Sequence, residues 1–166
     1  AFLPAIEKFN QANQTSSKLY FIAASKEKIA PTTLASLSIS NQASADYKFL
    51  KSITLLSNNK FTEALEEIKL ALKKDSTAYL YYIQESTIYL HLANNYSKKS
   101  SSYSSENISE IQATTLQYNK LALQSLGKAI KLSSNNPYLY YNRGCIHALL
   151  GRKSEAIEDF NKAISL

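Results

Sequence analysis

Two histidines, one cysteine and two groups of acids are the side chains of this 166-residue chain best suited to acid–base, nucleophilic or metal chemistry. The histidines are His91 and His147 and the cysteine is Cys145. Cys145 and His147 stand two residues apart on a predicted helix, so their side chains do not face each other and form no nucleophile–base pair. The acids Glu63, Glu66 and Glu67, and Glu155, Glu158 and Asp159, fall near helix starts or on outer faces, where they favour the helix dipole. No metal-ligand spacing and no phosphate-binding glycine loop occurs. The expectation is therefore no catalytic residue, no cofactor and no metal: not an enzyme.

The elements that position these residues are clearest over Pro137 to Leu166. Leu139, Tyr140, Gly144, His147 and Ala148 recur at helical spacing. Gly151-Arg152 interrupts, and Ala156, Ile157, Phe160, Ala163 and Ile164 take the spacing up again. Two amphipathic helices joined by so short a turn pack antiparallel. Small Gly144, Ala156 and Ala163 would sit where the helices cross, with Phe160 filling the space between them.

The same arrangement recurs upstream. Ala122, Leu126 and Ala129 precede Ala156, Phe160 and Ala163 by thirty-four residues. Ala64, Ile68 and Ala71 lie fifty-eight before that set, one repeat plus twenty-four inserted residues. Tyr79-Leu80-Tyr81-Tyr82 recurs as Tyr138-Leu139-Tyr140-Tyr141 and is taken to mark the start of a first helix in each repeat. The combination of Tyr140, Gly144, Gly151, Ala156, Phe160 and Ala163 resembles the tetratricopeptide repeat, an all-α helical-hairpin solenoid. His147 then occupies the place of a packed core tyrosine in that family. The Tyr141-Asn142-Arg143-Gly144 segment and the serine-, asparagine- and lysine-rich style resemble bacterial repeat proteins of unassigned function.

The expected organisation is a helical extension over 1–43 and a three-repeat array over 44–166, with repeats near 44–76, 77–134 and 137–166 and an insertion near 93–117. In the extension, Phe2 to Asn13 and Lys18 to Ala30 read as short helices. Ala30, Leu34 and Leu37 hint at a degenerate repeat that Pro31 would interrupt. In the first repeat, strict alignment puts Lys48 and Lys51 at apolar positions, whereas a turn one residue shorter would put Phe49 and Ile53 inside; the register stays open. The first helix of the second repeat is expected over Thr77 to His91. The polar run Tyr96 to Ser105 reads as a mobile loop. From Asn107, with Glu110 completing a capping-box pattern, a second helix about three turns longer than the family norm should begin.

Composition narrows the partners. The net charge is +6, but the lysines are spread along the chain among acids, so ordinary solvated faces are expected rather than a nucleic-acid patch. No apolar run is long enough to span a bilayer, so no membrane insertion is expected. A lone cysteine excludes an intrachain disulfide and fits either cytoplasm or periplasm, and the start at Ala1 suggests a piece of a longer protein. Twelve tyrosines without tryptophan suit a surface that is part apolar and part wet.

The family resemblance implies a non-enzymatic scaffold that holds a protein or peptide in a groove lined by first helices. Carried over by position, that groove receives Tyr79, Tyr82, Ser86 and Tyr89 from the second repeat and Tyr138, Tyr141, Asn142 and Cys145 from the third. Repeats of this family that grip a terminal carboxylate carry lysine and asparagine where this chain has Phe49 or Leu50 and Ile53 or Thr54, so that subclass is set aside. The second expectation is a structural spacer, or self-association through the open C-terminal repeat.

Overall fold

The structure, a computed structural model, describes residues 44–99 and 105–166. The expected N-terminal helices and degenerate repeat lie outside the described residues. Six helices are present among them and no strand: α1 Ala45–Ser57, α2 Phe61–Lys74, α3 Tyr79–Lys99, α4 Ser105–Leu132, α5 Pro137–Leu149 and α6 Lys153–Ser165. The chain divides after Lys74 into two compact units. The first holds the α1–α2 hairpin; in the second, α3 packs along α4, α5 on α6, and α5 also on α4.

Local chemistry sets the hairpin turns. Ser44 caps α1 by accepting the Tyr47 N–H at 3.1 Å, and Asn136 caps α5 by accepting the Tyr138 N–H at 3.1 Å, with Pro137 opening the helix. At the other end of α1, Asn59 takes a left-handed φ of 61°, and after α5 Gly151 takes 73°. The next residue closes a long backbone bond in each case: Lys60 N–H donates to Leu55 O at 2.9 Å, and Arg152 N–H to His147 O at 2.9 Å. One turn is thus built twice, ninety-two residues apart.

That identity fixes the register left open by the sequence. Ser52 stands at the place of Gly144, Lys51 at that of Arg143, and Glu67 at that of Asp159. The strict alignment holds for the turn and the crossing, and its two lysines are no misfit; Phe49 is nonetheless buried, as the shorter turn would have it, while Ile53 is only half-buried. The Lys48 and Lys51 ammoniums both reach Glu67, at 3.1 and 2.5 Å. Arg143 makes the matching bond pair to buried Asp159, donating from Nε to Oδ2 at 2.8 Å and from Nη2 to Oδ1 at 2.6 Å. The middle hairpin carries a neutral-donor version, in which Ser125 Oγ donates to the buried Glu85 carboxylate at 2.7 Å. Each hairpin therefore has a polar clamp at the same level, beside a small buried residue: Ser52, Ser86 or Gly144.

The clamp corrects a second reading. Glu85 matches Arg143 at an offset of fifty-eight residues, whereas the Tyr-Leu-Tyr-Tyr repetition implies fifty-nine. Burial follows the clamp: Tyr81, Ser86 and Ile88 are buried, as are Leu139, Gly144 and Ile146 fifty-eight residues on. The shared tetrapeptide is a chance match, slipped by one. A slip of one residue turns a helix face by about 100°.

The insertion is largely helix. α3 continues through Tyr96 to Lys99, and α4 begins at Ser105, two residues before the expected cap; residues 100–104 lie outside the described residues. Polar composition suggested a loop, but no Pro or Gly interrupts these stretches, and an aromatic seam supports them. The Tyr118 ring lies 6.1 Å from Tyr89 and 5.7 Å from Tyr96. At 28 residues α4 is twice the length of α2, about 42 Å along its axis.

In the last hairpin Ala156 is buried and Phe160 half-buried, as the crossing requires. Ile157 and Ile164, read as part of the same face, are instead 58% and 83% exposed.

Three changes test this packing. A Cβ on Gly144 would stand 2.7 Å from Phe160 Cε1, whereas one on Gly127 meets nothing within 4 Å. Gly144→Ala should therefore lose about 1–2 kcal/mol in urea unfolding and Gly127→Ala gain about 0.5–1 kcal/mol. Arg143→Gln, which strands the Asp159 charge, should cost about 2–3 kcal/mol, and adding Asp159→Asn should recover part of it. Burial alone would raise the Glu67 carboxyl, but Lys51 and Lys48 outweigh it and hold the group below its ordinary 4.5. Its stabilisation is then present at neutral pH and lost as pH falls below about 4.5. Glu67→Gln should weaken amide-exchange protection in α1–α2 by about 0.5–1 kcal/mol at pH 7, and the gap from the parent should close in acid.

Candidate functional site

The best-formed surface of the second unit is the outer face of α5. Tyr138 and Tyr141 are 40% and 55% exposed, Leu149 is 67% exposed, and Asn142, Cys145 and Ala148 are exposed with them. The residues lie at helical spacing on the side away from Leu139, Gly144 and Ile146, which the hairpin buries. Tyr141 leans on Phe160, ring centres 5.8 Å apart, so its ring is braced although its edge is open. The four groove residues expected from the third repeat thus share one accessible face.

The four expected from the second repeat do not. Ser86 is 2% exposed and Tyr89 6%. Ser86 occupies the small-residue position beside the clamp, and Tyr89 packs on Tyr118 within the α3–α4 hairpin. Burial, with help from Glu85 and then Tyr118, pushes the Tyr89 hydroxyl up to about 12. Tyr79 and Tyr82 are half-buried; burial raises the Tyr79 hydroxyl, and the Lys128 ammonium lies 5.5 Å from the Tyr82 ring centre. The residues of α3 that match Tyr138, Tyr141, Asn142 and Cys145 at the corrected offset are Leu80, Ile83, Gln84 and Thr87, all half-buried. Sequence reasoning missed them because it followed the tyrosines. The spacing of the small residues Ser86 and Gly144 was the signal that could have found them.

The remaining polar groups serve the hairpins. Arg143 is held above its ordinary value first by its hydrogen bond to Asp159, and its guanidinium lies 5.6 Å from the Tyr140 ring centre. His147 turns inward, with Nε2 3.9 Å from Asp159 Oδ2, while Cys145 is exposed, so the two point apart as expected. Burial first, and Lys98 second, lower His91 below 6.5. Among the described residues no three His, Cys, Asp or Glu side chains are placed to hold a metal ion, and no helix is long and apolar enough to cross a membrane. What this arrangement offers chemically is contact: rigid rings, hydroxyls, an amide and an aliphatic edge.

Comparison with known proteins agrees with the hairpin geometry. The tetratricopeptide repeat model matches residues 137–166, the α5–α6 hairpin. The human protein Tetratricopeptide repeat protein 6 is 27% identical over 112 residues, which is 68% of this chain and 17% of that protein. The chain thus spans about a sixth of that relative's length, and the bacterial resemblance is not carried by this match. Two crystal structures of MamA share the fold. One superposes with a TM-score of 0.60 at 14% identity, covering 98% of this chain and 84% of that one. The other gives 0.61 at 14% identity, covering 98% and 79%. A paired-helix turn built twice, a small residue at each crossing and a family match over the last hairpin carry one conclusion: the described residues have an all-α fold of the tetratricopeptide-repeat type, and residues 137–166 match such a repeat.

Proposed function

We propose that this chain is a non-enzymatic scaffold that binds a protein or peptide on the face of its first helices, α5 above all. The observation that carries this reading is the exposure of Tyr138, Tyr141 and Leu149 on one helix face. Exposed aromatic rings on a rigid helix lose little entropy on binding and combine apolar area with a hydroxyl, which is why they dominate interfaces. Scattered exposed apolar residues would need no explanation, but three on one braced face form a patch. On the corrected register the matching contribution from α3 is Leu80, Ile83, Gln84 and Thr87, in place of Ser86 and Tyr89.

A second reading is assembly through α6. Ile157 and Ile164 are widely exposed, while the matching Leu123 and Ile130 of α4, the helix on which α5 packs, are half-buried. A further helix on α6, from another copy or another part of a longer chain, would cover them in the same way.

A photocrosslinking amino acid placed at Tyr141, and in separate variants at Ile164 and at exposed Lys120 of α4, distinguishes these readings in extracts of the source cell. A partner joined from position 141 and not from 120 is expected. Joining from 164 alone would favour assembly through α6. Equal labelling from all three, or none from 141, would remove the groove reading.

A further inference from the structure

The first helices of the second unit dispose of their charges in an unusual way. Between Tyr79 and Leu90 the only charged residue is Glu85, and between Pro137 and Leu149 the only one besides His147 is Arg143. Both face inward. Glu85 is 8% exposed and accepts the Ser125 hydroxyl, and Arg143 is spent on the two oxygens of Asp159. His147 also turns toward Asp159. The polar clamps that tie each hairpin together therefore withdraw these helices' charge from their outer faces. What remains on these faces is half-buried Leu80, Ile83 and Thr87 on α3, and exposed Tyr138, Tyr141 and Leu149 on α5. The other charged residues of the unit lie on α4, α6 and the far end of α3, apart from Asp75 in the turn before α3 and Arg152 in the turn after α5; Lys128 of α4 lies over the Tyr82 ring.

A face without charge selects by what it cannot repay. A partner carboxylate or ammonium pressed against it would lose water and gain no counter-ion, a cost of several kcal/mol for full burial. An uncharged side chain suffers no such loss and gains the apolar area of the rings. Resting on the groove reading above, we infer that this face takes an uncharged peptide segment with apolar or aromatic side chains, and that it is not a reader of acidic or basic motifs. Association proceeds without electrostatic steering, so its rate and affinity are nearly independent of salt.

The test uses the whole chain and a displayed library of random peptides about twelve residues long, roughly the span of a single helix face. Enriched peptides are synthesised and measured against the parent, Tyr141→Ala, and a Glu158→Gln control on α6, all verified as folded by circular dichroism. The expected winners carry no net charge in their shared core. Their affinity should change less than about twofold between low and high salt and fall at least about tenfold on Tyr141→Ala alone. Winners with a charged core, weakened about tenfold or more by salt yet still dependent on Tyr141, would overturn this inference and leave the groove reading standing. Winners indifferent to Tyr141→Ala, or no enrichment over an unrelated helical protein, would overturn both.

Discussion

The close crossing of paired helices is the constraint on which the rest of this molecule depends. At each crossing the first helix offers a small residue, Ser52, Ser86 or Gly144, so that the second can come near. Close approach leaves little room for water, so a polar group beside the crossing must be partnered inside the protein. The three hairpins solve this with three chemistries: lysines on Glu67, a serine on Glu85, and a two-pronged arginine on Asp159. A planar guanidinium satisfies both oxygens of a buried carboxylate, which an ammonium does only in company. The pairing of Lys48 with Lys51 around Glu67 fits that difference.

These clamps also explain which parts of the fold were legible in the sequence. The Ala-x3-large-x2-Ala pattern of the second helices was readable because it is set by volume alone: Ala64, Ala71, Ala122 and Ala129 are fully buried, and Ala156 nearly so. The first helices were harder. Lys48 and Lys51 look like errors on a hydrophobic face until Glu67, on the other helix, is brought opposite. A pair of charges separated by a turn has no signature in local periodicity. The slip at Tyr79–Tyr82 has the same origin. Aromatic residues drew the alignment, while the position that geometry constrains is the small residue at Ser86, whose single hydroxyl carries little weight in a pattern.

The insertion misled for a different reason. A serine- and lysine-rich run has the composition of a loop, but composition reports average solvation and says nothing of what a few aromatic residues on one side can support. Tyr89, Tyr96 and Tyr118 form that support. In the third repeat Tyr138, Tyr141, Asn142 and Cys145 do lie together on the exposed side of α5, whereas Ala148, read with Gly144 and His147 as one face, is exposed with them.

The long α3–α4 hairpin has a consequence for how such a chain can change over generations. Its extra length lies beyond the clamp, where the Tyr96 ring of α3 meets the Tyr118 ring of α4. Turns gained or lost there in matching numbers leave the clamp at Glu85 and Ser125, and the docking of α5 on α4, where they are. The arm is in effect a telescoping part of the second unit: its reach can drift without disturbing the α5–α6 hairpin.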